Sequence, residues 1–392
     1  MSKKGIFVFG ILLLALAAVA QYTFELFGVG AQDMRMENTG QYIAYALDSN
    51  PSFHSNNSRF YFFTNRSGIR YLPSGGEPRW QETLTLTRPR MSARGDIAAV
   101  GEDGGRVIRV FNASGPMSIV SLDNPAHGFF INEGGDLCVI MAVDGGYHVH
   151  AFRRHSTDPF FRLNLYHRDN PMRFPIAADV SENGTYVAVA YLNLYRNLLT
   201  EVQIFSADRN VRFGTEALFA GADFPDETLI AMRFVSDNRI LIITDRRVSM
   251  QSVIGNAMEE DWMLPLYNRL DQLAFCIGGR FAFVSGAPIS PDTRDADPVG
   301  TVNIFDINGQ TGRFYLGRRA THLTMGHNAV IVGADRYFRA INSRGASLWQ
   351  HTARHDVRDI LFLDNTNTVL IAGATRAYVW RWQRARGEEY IQ

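Results

Sequence analysis

The feature that most restricts what this chain can fold into is a unit of short apolar runs and turns that recurs along it. Residues 92–122 (SARGDIAAVGEDGGRVIRVFNASGPMSIVSL) lie over residues 132–165 (NEGGDLCVIMAVDGGYHVHAFRRHSTDPFFRLNL) with their parts in the same order: turn, apolar strand, Asp-Gly-Gly turn, alternating strand ending in Phe, turn, strand. The unit returns in SENGTYVAVAYLN with EVQIFSADRNVRF, in SDNRILIITDRRVSMQSV, in IGGRFAFVSG with GTVNIFDINGQTGRFYL, in GHNAVIVGADRYFRAINSRGASLWQ and in NTNTVLIAGATRAYVWRW. Apolar segments such as IAADV, IAMRFV, LAFCI and ILFL precede these repeats. Runs of this length between Gly, Asp, Asn and Ser indicate an all-β fold. Four strands in roughly 40 to 50 residues indicate a propeller blade, a small sheet that buries its faces only against its neighbours. With RFYFFTNRSGIRYLPSGGEPRWQETLTL (59–86) at the front, the chain forms a β-propeller of about eight four-stranded blades, with seven as the alternative. The first unit lacks an opening strand and the last lacks a closing one. These deficits cancel if the chain ends meet and remove an exposed sheet edge.

The N-terminus, MSKKGIFVFGILLLALAAVAQYTFELFGVG, sets Lys3 and Lys4 before an uninterrupted apolar run from Gly5 to Ala20. Read as one apolar helix it is an anchor. Tyr22, Phe24, Leu26 and Phe27 extend the run towards the roughly 20 residues of a span, and the lysines stay inside by the positive-inside rule. Read as a removable signal it has a basic start and the cleavage pattern Ala18-Val19-Ala20. The first reading gives a single-pass protein of the cell membrane with its C-terminal domain outside the cytoplasm; the second gives a secreted or periplasmic protein cut after Ala20. The expected layout is this segment over 1–28, a linker over 29–57, the propeller over 58–384 and a tail over 385–392. Cys138 and Cys276 fall in apolar strands of non-neighbouring units, so two buried thiols are expected instead of a disulfide.

Composition removes several functions. Lys and Arg number 39, as do Asp and Glu, so no basic field exists to hold nucleic acid. Lys3 and Lys4 are the only lysines, which excludes Schiff-base and lysine-base chemistry from the repeats. No nucleophile elbow, phosphate loop or paired zinc-ligand helix occurs, so no catalytic residue and no cofactor is assigned.

Four groups of residues remain as candidates. His148 and His150 alternate in VDGGYHVHAF and could face one metal ion. Yet the position of His150 holds Arg109, Gln203, Asn303, Arg339 and Tyr378 in other repeats, a polar column on a half-buried strand, and zinc sites use three or four ligands. Asp292, Asp295 and Asp297 lie in the insertion GAPISPDTRDADPVG and offer oxygens to calcium, although their spacing matches no calcium loop and a solvated insertion accounts for them. Tyr191, Leu192, Leu194 and Tyr195 belong to a second insertion, YLNLYRNLLT, whose apolar character suits either a partner-binding ridge or packing on a neighbouring blade. Trp80 and Trp349 follow glycine turns and read as blade-packing residues, with sugar stacking as the sharper alternative.

The order of a basic tip, one apolar segment and repeats such as TRPRMSARGDIAAVGEDGGRVIRVFNASG and IAADVSENGTYVAVAYL resembles a bacterial family of N-terminally anchored, propeller-like proteins known only as a domain of unknown function. More diffusely, the chain resembles WD-repeat-like and quinoprotein-like propellers, the latter through GASLWQ and GEPRWQ. The Gly-His and Trp-Asp pairs of WD repeats do not recur, and no quinoprotein cofactor ligand falls on a residue here. The resemblance implies an extracytoplasmic scaffold at the membrane and nothing catalytic, and a repeat without catalytic motifs points to a module that holds a protein or an envelope polymer on one face of the ring. The other reading is an exported hydrolase or lyase acting on glycans or peptides, with polar residues converging on the central channel. Oligomeric state is left open.

Overall fold

A computed structural model describes residues 34–384, apart from 50, 57–58, 65–66, 74–76, 167–171, 196, 208–217, 277, 291–292, 328 and 364–366. Thirty-two strands form eight four-stranded antiparallel sheets, and these are the eight blades of a propeller. Blade 1 takes β2 to β5 (Ser52–Asn56, Arg59–Thr64, Gly68–Pro73, Trp80–Glu82) and blade 2 takes β6 to β9 (Pro89–Arg94, Ile97–Glu102, Val107–Asn112, Gly115–Ser121). Blade 3 is β10 to β13 (Ala126–Ile131, Leu137–Val143, Gly146–Phe152, Pro159–Tyr166), and blade 4 is β14 to β17 (Arg173–Val180, Tyr186–Asn193, Leu199–Ser206, Leu218–Pro225). Blade 5 is β18 to β21 (Leu229–Phe234, Arg239–Thr244, Arg247–Ile254, Ala257–Pro265), and blade 6 is β22 to β25 (Asn268–Phe275, Phe281–Pro288, Thr301–Asp306, Gly309–Tyr315). Blade 7 is β26 to β29 (His322–Met325, Ala329–Ala334, Tyr337–Asn342, Ser347–Thr352). Blade 8 joins β30 to β32 (Asp359–Phe362, Thr368–Ala372, Arg376–Arg384) to β1 (Met34–Ala44) from the other end of the chain.

The burial pattern explains why the repeat was visible. Second strands such as Ile97–Glu102, Arg239–Thr244 and Ala329–Ala334 are buried along almost their whole length, because each is covered on both sides by neighbouring blades. A strand covered on both faces reads as a continuous apolar run, whereas the outer strand Ala257–Pro265, open on one face, alternates. The Asp-Gly-Gly hairpins need φ > 0 at their middle residue, and Gly104 and Gly145 supply it at +76° and +74°.

The core is divided into eight buried clusters among the described residues, each drawn from two adjacent blades. The cluster of Phe60, Phe62 and Leu72 from blade 1 with Leu363, Leu370 and Val379 from blade 8 closes the ring. Antiparallel pairing of Met34 with Arg384 through Ala44 with Arg376 closes the same seam in hydrogen bonds.

Residues 29–57 depart from their expected reading as a linker. They contain β1, the outer strand of blade 8, and β2, the inner strand of blade 1. In β2 the sequence SFHSN has Phe53 as its one large apolar side chain, and in β1 the sequence MRMENTGQYIA lies at the rim with most described side chains exposed. Neither strand is sandwiched as second strands are, so neither carries the apolar run that marks the repeat. The expected N-terminal helix and the tail over 385–392 lie outside the described residues, and no described helix is long and apolar enough to cross a membrane.

Candidate functional site

Two faces of the ring differ in what they present. The lower face carries the turns from first to second and from third to fourth strands; the upper face carries the second-to-third turns and the connections between blades. At the lower end of the channel charged side chains converge from several blades. Arg94, the last residue of β6, reaches past blade 3 to Asp179 on β14 with Nη1 3.2 Å from Oδ2, and both side chains are largely buried. Asp179 Oδ2 also accepts the backbone N–H of Phe234 at 2.7 Å. Arg233 on β18 donates to Glu133 Oε1 at 3.0 Å, tying blade 5 to blade 3.

Burial pulls the Arg233 guanidinium down to about 10, with Arg94 adding to the effect, so it stays charged at neutral pH. His54 lies beside this cluster with Nε2 3.1 Å from the Gly95 carbonyl oxygen. Its pKa is lowered to about 4 by desolvation and by Arg233 and Arg94, so its ring is neutral at pH 7. Burial, Glu133 and Asp237 raise Glu182. The pocket lined by His54, Arg94, Arg233, Cys276, Met325 and Phe362 holds about 120 Å3. That is room for a few waters and is below the roughly 300–1,000 Å3 of small-molecule sites. The arrangement is a set of charge-assisted clamps between blades. In the sequence SARGD and NEGGD read as turns, which singles out neither Arg94 nor Glu133; the available signal was a charged residue at or just beyond the end of a first strand.

His148 and His150 do share one face of β12, with rings stacked 5.8 Å apart. Their cross-strand partners are Met141 and Asn164 for His148, and Val139 and Arg162 for His150. Burial lowers His148; burial, His148 and Arg162 lower His150 to about 4, so both are neutral at pH 7. No third His, Cys, Asp or Glu joins them in a metal-binding group among the described residues. The polar column of the repeats is real: Arg109, Gln203 and Arg339 are half-buried like His150, and Asn303 is buried.

In the acidic insertion, Asp292 lies outside the described residues and Asp295 is exposed. Asp297 is engaged by the blade, since its carboxylate accepts from Ser285 Oγ at 2.9 Å, from Asn303 Nδ2 at 3.0 Å and from Arg313, while its backbone N–H donates to Asn268. It anchors the loop. Tyr191 is fully buried among residues of blades 3 and 4 with Arg173 stacked 3.7 Å from its ring centroid, so its side chain cannot meet a surface partner as one reading of that insertion required. Leu192 is half-buried, whereas Leu194 and Tyr195 are exposed, Tyr195 by 59%. Cys138 is buried and Cys276 half-buried in blades 3 and 6, with no disulfide between them. Trp80 stacks on Phe111 and donates Nε1–H to Ala113 O in the next blade at 3.2 Å, while Trp349 packs against Trp382.

The exposed large apolar side chains favour the upper face. Leu47, Met172, Leu194, Tyr195, Tyr267 and Val299 lie there, and the backbone of Leu194 donates to Met172 O at 2.9 Å, so those two segments touch. On the lower face Leu218 and Ile254 are comparably exposed.

Among solved structures, the chain is similar to Sqt1 of Chaetomium thermophilum, solved bound to the N-terminus of the ribosomal protein L10, at 12% identity over 88% of this chain and 100% of that one, with a TM-score of 0.54. BamB of Moraxella catarrhalis is 12% identical over 91% of this chain and 100% of its own, with a TM-score of 0.49. The WD40 domain of Neurospora crassa Pan2 is 12% identical over 75% of this chain and 88% of its own, with a TM-score of 0.44. At these identities the likeness is one of fold. No curated protein matches the chain. The profile of a family of unknown function, DUF5711, matches residues 56–379, most of the propeller, and the chain therefore belongs to that family.

Proposed function

We propose that the protein is a non-catalytic, membrane-tethered propeller outside the cytoplasm that docks a protein partner on its upper face. The observation that carries this reading is the placement of exposed apolar side chains on the face opposite the point where the N-terminal segment enters. Strand β1 begins at Met34, paired with Arg384, at the lower edge of blade 8. Residues 29–33, between the proposed anchor over 1–28 and the strand, extend at most about 17 Å. The lower face is then held close to the bilayer, and Leu194, Tyr195 and their neighbours point away from it. A hydrolase or lyase would need its acid and base at the channel, where Asp179 and Glu133 are each engaged by an arginine and the pocket beside those arginines holds only about 120 Å3. That supports the scaffold reading over the enzymatic one.

The experiment is capture from envelope extracts with the full chain, beside Leu194→Asp/Tyr195→Asp and the lower-face variant Ile254→Asp. A partner retained by the native chain and Ile254→Asp but lost by the double variant is the expected result. A partner that ignores the double variant, or no reproducible partner, refutes the docking face. Fractionation with intact-mass analysis tests the tether: membrane retention with residues before Gln21 present supports the anchor, and a soluble chain starting at Gln21 rejects it.

A further inference from the structure

Between blades 7 and 8 two hollows of about 670 and 580 Å3 adjoin on the upper side. They share Arg354, His355, Asp356, Gly373 and Tyr378 and so form one cleft. It lies beside the strand that closes the ring. Strand β1 is contributed by the other end of the chain, and its register on β32 shifts between Asn38 and Tyr42, with Gly40 at φ +80°. Trp380, Tyr378 and Ile371 line the hollow beside this strand and the end of β29.

The floor and the rim have different chemistry. Met36, Val357, Ile371 and Trp380 make an apolar floor, and the His351 ring lies 4.9 Å from that of Trp380. His351 Nε2 is buried with no hydrogen-bond partner, and burial lowers the pKa of the ring, so a neutral imidazole stands in the wall of the cleft. The rim carries Arg336, Arg354, Arg376 and His355 against one carboxylate, Asp356, which sits 3.8 Å from Arg336 with both side chains exposed. On a chain with no net formal charge this is a local excess of cations. Each of the two hollows by itself falls in the range that encloses a small organic molecule.

We propose that this cleft binds a small aromatic anion, its ring against Trp380 and Ile371 and its carboxylate or phosphate among Arg336, Arg354 and Arg376. Rings favour stacked or edge contacts with Trp and Tyr, and guanidinium groups pair with planar oxyanions in bidentate geometry. The cleft lies on the same face as the docking surface proposed above but between blades 7 and 8, across the ring from Leu194 and Tyr195 of blade 4, and it does not rest on that proposal.

The test is calorimetric titration of the full chain with three probes of one ring system: indole-3-acetate, indole and tryptamine. Saturable one-to-one binding of indole-3-acetate is expected, weaker at higher salt, with tryptamine weaker by roughly tenfold. Arg354→Glu, at an exposed position, weakens the anion by several-fold or more, and Asp356→Asn tightens it. Trp380→Leu removes binding; should that variant fail to fold, the two rim variants decide. Absence of saturation by about 5 mM indole-3-acetate, binding of tryptamine as tight as the anion, or an unchanged affinity in Arg354→Glu overturns the proposal.

Discussion

Replacing Asp179 with Ala tests whether the charged clamp at the lower channel holds the blades together. Asp179 is 2% exposed and serves two donors, Arg94 Nη1 at 3.2 Å and the Phe234 N–H at 2.7 Å. Removing the carboxylate strands a largely buried guanidinium and orphans a buried amide, a loss of about 3–5 kcal/mol for one partner of a buried pair. At roughly 2.1 cal/mol/K of unfolding entropy per residue, a propeller of about 350 residues has an unfolding entropy near 0.7 kcal/mol/K, so the melting temperature should fall by about 4–7 °C. The informative control is Arg94→Met/Asp179→Asn, which removes both charges but leaves an oxygen for Phe234. Exchanging a buried ion pair for neutral groups is often close to neutral, so the double variant should melt within about 3 °C of the native protein. Scanning calorimetry or tryptophan fluorescence reads both. A melting point for Asp179→Ala within about 1 °C of native, or a double variant no better than the single one, would refute the clamp.

Gly68 has φ +78°, and a Cβ there would sit 2.1 Å from Glu82 O, whereas Gly145 has φ +74° with open space around it. Gly145→Ala is expected to cost about 1 kcal/mol and Gly68→Ala clearly more, a difference that denaturant midpoints resolve. His54 titrates near 4 in the folded ring against 6.5 when exposed, so between those values the unfolded chain binds more protons and stability falls as pH falls. His54→Gln should flatten that slope, and midpoints for the two proteins that fall in parallel from pH 7 to 4.5 would contradict the burial of this ring. A chain beginning after Ala44 leaves the β32 edge unpaired and should self-associate in size-exclusion chromatography, whereas a chain beginning at Met34 should run as a discrete species.

The sequence made the eightfold repeat legible because burial between blades writes a continuous apolar run into each second strand, as in Phe281–Pro288 or Thr368–Ala372. It hid β1 and β2, because an inner strand at a polar channel and an outer strand at the rim need no such run. It also hid the clamp. Arg94 and Asp179 are 85 positions apart and meet only because the first strands end at a common axis. A charged residue in a turn looks the same in sequence whether it points to bulk water or to another blade's carboxylate. The insertion at Tyr191–Tyr195 illustrates a related limit: four neighbouring apolar residues divide between core and solvent, since Tyr191 still belongs to a strand and Leu194 has left it.

Ring closure connects these separate features. By lending β1 to blade 8, the N-terminus makes the seam between the chain ends both the last hydrogen-bonded ladder of the propeller and, on the proposed tether, the point at which the membrane holds it. The same arrangement leaves Trp349 different from its counterparts. Trp80 and Trp262 each donate Nε1–H to a carbonyl two residues beyond a stacked phenylalanine of the next blade, Ala113 after Phe111 and Ile307 after Phe305. Those carbonyls belong to third-to-fourth-strand turns, and blade 8 has no such turn, because its third strand ends at Arg384 and its fourth begins at Met34. Trp349 Nε1 accordingly has no acceptor, although its ring packs on Trp382 at 5.3 Å. The seam is thus the place where one staple between blades is missing and where the outer strand bulges. The cleft lies at this interface, where Trp349 packs without the Nε1 staple and the strand lent by the other end of the chain bulges.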